Sequence, residues 1–193
     1  MHNGKLFILS APTGGGKTTV ATNVLDIIGQ KYPFSRVITY TTRPQRPGEQ
    51  NGIDYHFVTE ADFLKKKAED FFLETNHYDG KWYGSPRSII DDLKKGKSFL
   101  AITDRNGARA WKRNIHEAVL IWLDVTDAAI IAQRLHKRGD PEETIKRRIA
   151  IAAQEIAEEK QKHFFDHHVM NEDLQKAVED VVEIISEHIE KKR

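Results

Sequence analysis

The run Lys5-Leu6-Phe7-Ile8-Leu9-Ser10-Ala11-Pro12-Thr13-Gly14-Gly15-Gly16-Lys17-Thr18-Thr19 constrains this chain more than any other stretch. Leu6–Ser10 is apolar and short enough for a buried strand. A glycine-rich turn follows, and a helical pattern runs from Thr18 to about Ile28. Strand, glycine loop and helix start together form a phosphate cradle. The loop N–H groups point inward and the positive helix end adds to their field. Lys17 then reaches the outer phosphates, and the Thr18 hydroxyl suits Mg²⁺. Ala11 stands where the strict phosphate-loop pattern opens with glycine, and its methyl is small enough not to block a ligand. The alternative, a surface turn that happens to end in Lys-Thr, leaves the flanking strand and helix unexplained.

Around this motif, apolar runs alternate with amphipathic ones. That predicts an α/β fold with a largely parallel central sheet flanked by helices. Expected core strands are Leu6–Ser10, Val37–Tyr40, Ser98–Thr103, Val119–Asp124 and His168–Met170. Expected helices are Thr18–Ile28, Pro86–Lys95, Gly107–Asn114, Asp127–Lys137, Glu142–Lys162 and Glu172–Lys191. Ser85-Pro86 reads as a cap and first-turn proline, and Gly96 as a stop. Thr59 caps a short helix ending near Lys67. Between Thr41 and Gly84 the rhythm breaks into a Pro/Gly-rich loop (Arg43–Gly52), strand-like Tyr55–Val58 and Phe71–His77, and an Asp79-Gly80 hairpin turn. This reads as an inserted subdomain. Glu142–Lys162 carries both charge signs, as a solvated face or a mobile cover.

At 193 residues the prior is one domain, and 30 basic against 29 acidic residues leave a formal charge of +1. Such a balance gives no reason to expect a nucleic-acid partner. There is no cysteine, so disulfides are excluded. No run approaches the ~20 apolar residues that span a bilayer, and the N-terminal residues make a poor signal peptide. The expectation is a cytoplasmic protein without a membrane partner; oligomeric state is left open.

Thr41-Thr42-Arg43-Pro44-Gln45-Arg46-Pro47-Gly48-Glu49 is the second informative stretch. Residues before proline favour extended geometry, and an extended polyproline-like chain repeats every three residues. Arg43 and Arg46 are therefore expected on one side, a spacing that suits a phosphate monoester. Taken alone they read as solvated loop arginines. Beside a phosphate loop, which needs an acceptor for its phosphoryl group, they read as a clamp. Tyr55 and Tyr83 bring hydroxyls near the same loop.

The phosphate loop, the Thr41–Phe57 stretch, Phe72-Leu73-Glu74, Tyr83-Gly84-Ser85 and Arg138-Gly139…Arg148 occur in the order found in guanylate kinases. Phe165-Asp166 and Val169–Asp173 extend the likeness over nearly the whole chain. The chain thus resembles the P-loop nucleoside monophosphate kinases of that family. The resemblance implies ATP-dependent phosphorylation of GMP in purine metabolism, with Mg²⁺ brought by ATP and deoxy-GMP left open as an acceptor. It implies a core (about 1–38, 86–126 and 165–193), a GMP-binding subdomain (about 39–85) and a lid (about 127–164). Arg43, Arg46, Tyr55 and Tyr83 match the holders of the GMP phosphate. Glu74 and Ser85 match the guanine-reading pair, with Thr39 and Asp104 as further contacts.

A carboxylate at Glu74 suits guanine's N1–H and 2-amino donors, which adenine lacks. Arg138 and Arg148 match lid arginines that act with Lys17 and Arg43 on the transferring phosphoryl group, and Asn171 matches an adenine contact. Charge cancellation and alignment carry such a reaction, so no general base is assigned. Departures are Ile102 where the family has an acid, Asn106 for Gln, Thr39 for Ser, and a lid loop one residue short. Those departures keep open a catalytically weak binding module, and the fold keeps open a kinase for another phosphorylated acceptor. His163, His167 and His168 lack the spacing of a metal site.

Overall fold

The computed structural model describes residues 3–191, apart from the side chain of Ala128. The outermost ends of the expected core, 1–2 and 192–193, lie outside the described residues. In chain order the elements are β1 (Leu6–Ser10), α1 (Lys17–Ile28), β2 (Phe34–Arg36), β3 (Tyr40–Thr41), β4 (His56–Phe57), α2 (Glu60–Ala68), β5 (Phe72–Tyr78) and β6 (Lys81–Pro86). There follow α3 (Ile89–Lys94), β7 (Ser98–Ile102), α4 (Arg105–Asn114), β8 (Val119–Asp124), α5 (Ala128–Lys137), α6 (Glu142–Lys162), β9 (His167–Met170) and α7 (Leu174–Glu190).

Five strands form a parallel sheet in the order β2-β7-β1-β8-β9. Its strands read as continuous apolar runs because helices cover both faces. Alternate residues sort between them. Phe7, Leu9, Leu100, Ile121 and Leu123 pack with Val20 and Val24 of α1 and Val181 of α7. Leu6, Ile8, Phe99, Leu120 and Trp122 pack with Leu93 of α3 and Trp111 of α4. Burying one such aliphatic chain stabilises by about 1.5–3 kcal/mol. The sheet therefore fixes β1 at its centre, and the end of β1 opens between β7 and β8, where ligands of parallel sheets bind.

A second sheet, β4-β3-β6-β5, is built on the β5–β6 hairpin. Asp79 and Gly80 turn it with φ of 51° and 71°, the pair of positive φ that a tight type I′ turn requires. Phe63 of α2 stacks on Phe72 at 4.6 Å and on Trp82 at 5.8 Å. Thr59 caps α2 as expected, its hydroxyl accepting from Asp62 N–H at 3.1 Å. Helices α5 and α6 share a third, small core of Ile131, Leu135, Ile145 and Ala152.

Two sequence expectations fail. Val37–Tyr40 is not one core strand: β2 ends at Arg36, and Tyr40 begins β3 in the second sheet. Phe34 is the residue that enters the core there, and Val37 adds a last bond to Leu100 O at 2.9 Å before the chain leaves. Nor do Ser85 and Pro86 start a helix. Pro86 pairs with Phe72 at the end of β6, the Ser85 hydroxyl goes to Glu74, and α3 begins at Ile89 after Ser88. Other boundaries move by a residue or two. One such shift is at α4, which opens at Arg105 because Asp104 caps it through Gly107 N–H at 2.9 Å.

Candidate active site

The loop between β1 and α1 owes its shape to glycine. Gly14 and Gly16 hold φ of 75° and 90°, where a Cβ is strained. A Cβ on Gly16 would also lie 2.6 Å from the Asn171 side chain. Gly15 N–H closes the turn onto Pro12 O at 2.8 Å. From across the sheet, Asn171 Nδ2 donates to Gly15 O at 2.6 Å, and Arg134 donates to Gly15 O and to Asn171 O. Ala11 is buried in the core behind the loop, which explains why a methyl is accepted there. Thr18 and Thr19 are exposed in the first turn of α1.

Lys17 folds inward, its Nζ donating to Ala11 O at 2.8 Å and Pro12 O at 3.3 Å. Burial pushes its pKa down, while Glu155 and Asp104 nearby hold it up. The same surroundings, burial first, push the Glu155 and Asp104 carboxyls up, with Lys17 opposing. One cation and two carboxylates thus share a poorly hydrated corner.

On the facing side, the Arg43–Glu49 loop wraps round a carboxylate. Glu49 accepts from Arg43 Nη2 at 2.7 Å and from Arg46 N–H at 2.8 Å. Burial opposes ionisation of Glu49, but these bonds win and hold its pKa below the usual range. Two guanidinium groups approach the Tyr55 ring, 5.4 Å from its centre for Arg36 and 5.3 Å for Arg43. Tyr83 sits beside them, its hydroxyl pKa raised by burial first and then by Tyr55. Arg43, Arg46, Tyr55 and Tyr83 line one cleft.

Deeper in, Glu74 is 8% exposed. Its Oε1 accepts from the Ser85 hydroxyl at 2.7 Å, and its Oε2 is buried without a partner. Burial lifts its pKa to about 7, against the Ser85 bond, with Asp104 adding to the rise. An orphaned carboxylate oxygen in a cleft is a place for a ligand's donor. Asn76, next along the inner row of β5, donates to Asp104 Oδ2 at 2.7 Å. Thr39 lines the same pocket. Ile102 packs into the core against the α1 side, and Asn106 is exposed and bonded to Arg109.

From α5, α6 and the turn between them come Arg138 and Arg148, both gathered by Asp140. Arg138 Nε lies 3.1 Å and Arg148 Nη1 2.8 Å from that carboxylate. Burial opposes ionisation of Asp140, yet Arg138, Arg148 and Arg46 hold its pKa down. Arg46 has its own pKa lowered, by burial first and then by Arg43, Arg138 and Arg148. Two arginines of the 43–49 loop and two of the α5–α6 region therefore converge. Together with the glycine loop they border one cleft of about 1180 Å³, beyond the ~300–1,000 Å³ of a single small-molecule pocket.

The sequence-predicted residues other than Ala11 and Pro12, which lie buried behind the loop, line this cleft, with Asn171 turned into the loop as a brace. Sequence reading missed Asn76, Tyr78, Arg134, Asp140 and Glu155. A period signal was available for Glu155: positions 145, 148, 152, 155 and 159 recur at helical spacing and form the inner row of α6 (Ile145, Arg148, Ala152, Glu155, Glu159). In that row Glu159 is buried against Arg105 at 2.8 Å. The three histidines serve separately: His163 ends α6 with φ of 42°, His167 packs on His188, and His168 meets Asp124 at 2.9 Å.

Residues 3–188 match the family model described as guanylate kinase. A guanylate kinase of Desulfotalea psychrophila is 38% identical over 92% of this chain and 86% of its own length. One from Lactobacillus delbrueckii subsp. bulgaricus is 36% identical over 98% and 92%. Among solved structures, a guanylate kinase from Anaplasma phagocytophilum superposes with a TM-score of 0.79 at 26% identity, covering 97% of this chain and 87% of that one.

Proposed function

The chain belongs to the guanylate kinase family, and from that premise we propose that it transfers the γ-phosphoryl group of ATP to GMP. The observation that carries this reading is the convergence of Arg43, Arg46, Arg138 and Arg148 on a cleft whose other wall is a phosphate-binding loop. In the proposal, ATP phosphates lie along 11–19 and the GMP phosphate lies between Arg43, Arg46, Tyr55 and Tyr83. Glu74 offers its unpartnered oxygen to guanine, with Ser85, Thr39 and Asp104 beside it. We divide the chain accordingly into a core, a GMP-binding subdomain at about 39–85 and a lid at about 127–164.

Transfer needs an in-line approach and cancellation of charge. The glycine loop and α1 N-terminus orient the donor, and the Arg43–Arg46 pair orients the acceptor. Lys17, Arg138 and Arg148 lie between them, where charge spreads over the equatorial oxygens. For the arginines to serve there, they exchange Asp140 for phosphate oxygens. Thr18, an exposed hydroxyl oxygen at the helix start, is a hard ligand that fits Mg²⁺. When bound with ATP, that ion neutralises β- and γ-phosphate charge. Asn171 and Arg134 hold the loop while closure of α5–α6 excludes water.

No described helix is long and apolar enough to cross a membrane; we further infer a cytoplasmic location from the bacterial guanylate kinases that the chain resembles. The test is a coupled ADP-release assay with GMP, deoxy-GMP, AMP, CMP and UMP. Guanine acceptors are expected to be preferred by orders of magnitude in kcat/KM; equal rates with AMP would sink the reading.

A further inference from the structure

Three parts of the cleft meet at one carboxylate. Glu155, on the inner row of α6, takes the Thr13 N–H of the glycine loop at 2.9 Å on one oxygen. Its other oxygen lies 3.4 Å from the Tyr78 hydroxyl. Tyr78 belongs to β5, whose residues alternate between faces, so Glu74, Asn76 and Tyr78 form one row. The first bonds within its own sheet, to Ser85. The second crosses to Asp104 at the end of the central sheet, and the third crosses to α6. Tyr78 also meets the Thr13 side chain directly, so donor loop, acceptor sheet and α6 are tied at the Glu155–Tyr78 pair, alongside Lys17.

We propose that Glu155, held by Tyr78 and the Thr13 amide, is a positioning residue that couples binding of one nucleotide to binding of the other. The inference rests on the phosphotransfer reading above and specifies how its two halves communicate. A ligand that orders β5 fixes Tyr78. Tyr78 fixes the Glu155 carboxylate, and that carboxylate fixes the loop that receives the second ligand. The second ligand then meets a site whose ordering cost has already been met, and the effect is reciprocal. Glu155 touches no reacting atom in this scheme. The competing role is a staple that merely holds α6 down, which would affect stability and both affinities alike.

Calorimetric titration of the full chain separates the two. The affinity of AMP-PNP with Mg²⁺ is measured with and without saturating GMP, and that of GMP with and without AMP-PNP. The wild-type chain, Tyr78→Phe, Glu155→Gln and the double variant are compared. In the wild type each ligand is expected to tighten the other by about fivefold or more. In either single variant that factor falls towards one while the binary affinities shift far less. The double variant loses no more than the singles, because they break one shared contact. Coupling that survives both substitutions, or that is absent from the wild type, overturns the proposal. So does a parallel loss of both binary affinities and melting temperature with the coupling factor intact. Failure of the proposed function would register differently, as absence of GMP phosphorylation by the wild-type chain.

Discussion

In the proposed reaction the glycine loop and the arginine cluster both handle phosphate, yet they are built in opposite ways. The loop is backbone, pinned by left-handed Gly14 and Gly16, by the Gly15–Pro12 turn and by Asn171. The cluster is long side chains resting on carboxylates: Arg43 on Glu49, and Arg138 and Arg148 on Asp140. A donor site made of peptide dipoles has its glycine turn set before its ligand arrives, with only the Thr13 end left to be fixed through Glu155. A clamp made of guanidinium groups is held by surrogate anions and must change partners when phosphate comes. Preorganisation therefore sits mainly on the donor side, and motion mainly on the other.

The sharpest way to break this contrast is Lys17→Ala. Lys17 bonds Ala11 O and Pro12 O, but the turn itself is set by Gly14, Gly16 and the Gly15–Pro12 bond, so the melting temperature should fall little while kcat falls by about 10²–10³-fold. A collapse of stability along with activity would show that the loop is not a backbone construction. The next test falls on the acceptor side and reads pH. Free Glu74 has a pKa of about 7, whereas a carboxylate accepting guanine's two donors is stabilised in its charged form. GMP binding then releases a proton. KM for GMP should rise up to tenfold per pH unit as pH drops below 7 and level off above it, and Glu74→Gln should flatten that profile. The same shift has a sign for folding. The folded protein holds the Glu74 proton more tightly than the unfolded chain, so that contribution is full below pH 4.5 and is lost as pH climbs through 7. The smallest effect is expected at Arg147, whose side chain is 55% exposed and pairs with Asp79. Arg147→Ala should change stability by less than about 1 kcal/mol in chemical denaturation, whereas its neighbour Arg148 faces the cleft.

The same contrast governs what could be read in the sequence. The donor loop is contiguous, with strand, glycines, lysine and helix in one run, and local spacing alone specifies it. The clamp arginines are also close together, and prolines mark them. The roles of Glu155 and Tyr78 depend on contacts between elements distant in sequence, whereas Asp140 lies within eight positions of both its arginines and reads locally as an ordinary loop carboxylate. Glu155 reaches Thr13 across 142 positions, and no local pattern announces that. The helix bearing it carries both charge signs, and either a solvated face or a cover accounts for that composition. Its inner row becomes visible only when positions 145–159 are read at helical spacing. Pro86 misled for a different reason. Its fixed φ suits a helix start, but it also suits the end of a strand, and β5 supplied the partner that decided the matter.

The bracing of the glycine loop has a consequence for how the protein comes into being. Residues 11–16 precede Arg134 and Asn171, which clasp Gly15, by 119 and 156 positions counted from Gly15. A nascent chain halted after α4 carries every residue of the motif without its clasp. The loop is thus braced only once β9 has docked on the sheet edge, and its final shape belongs to the assembled sheet as much as to the local motif.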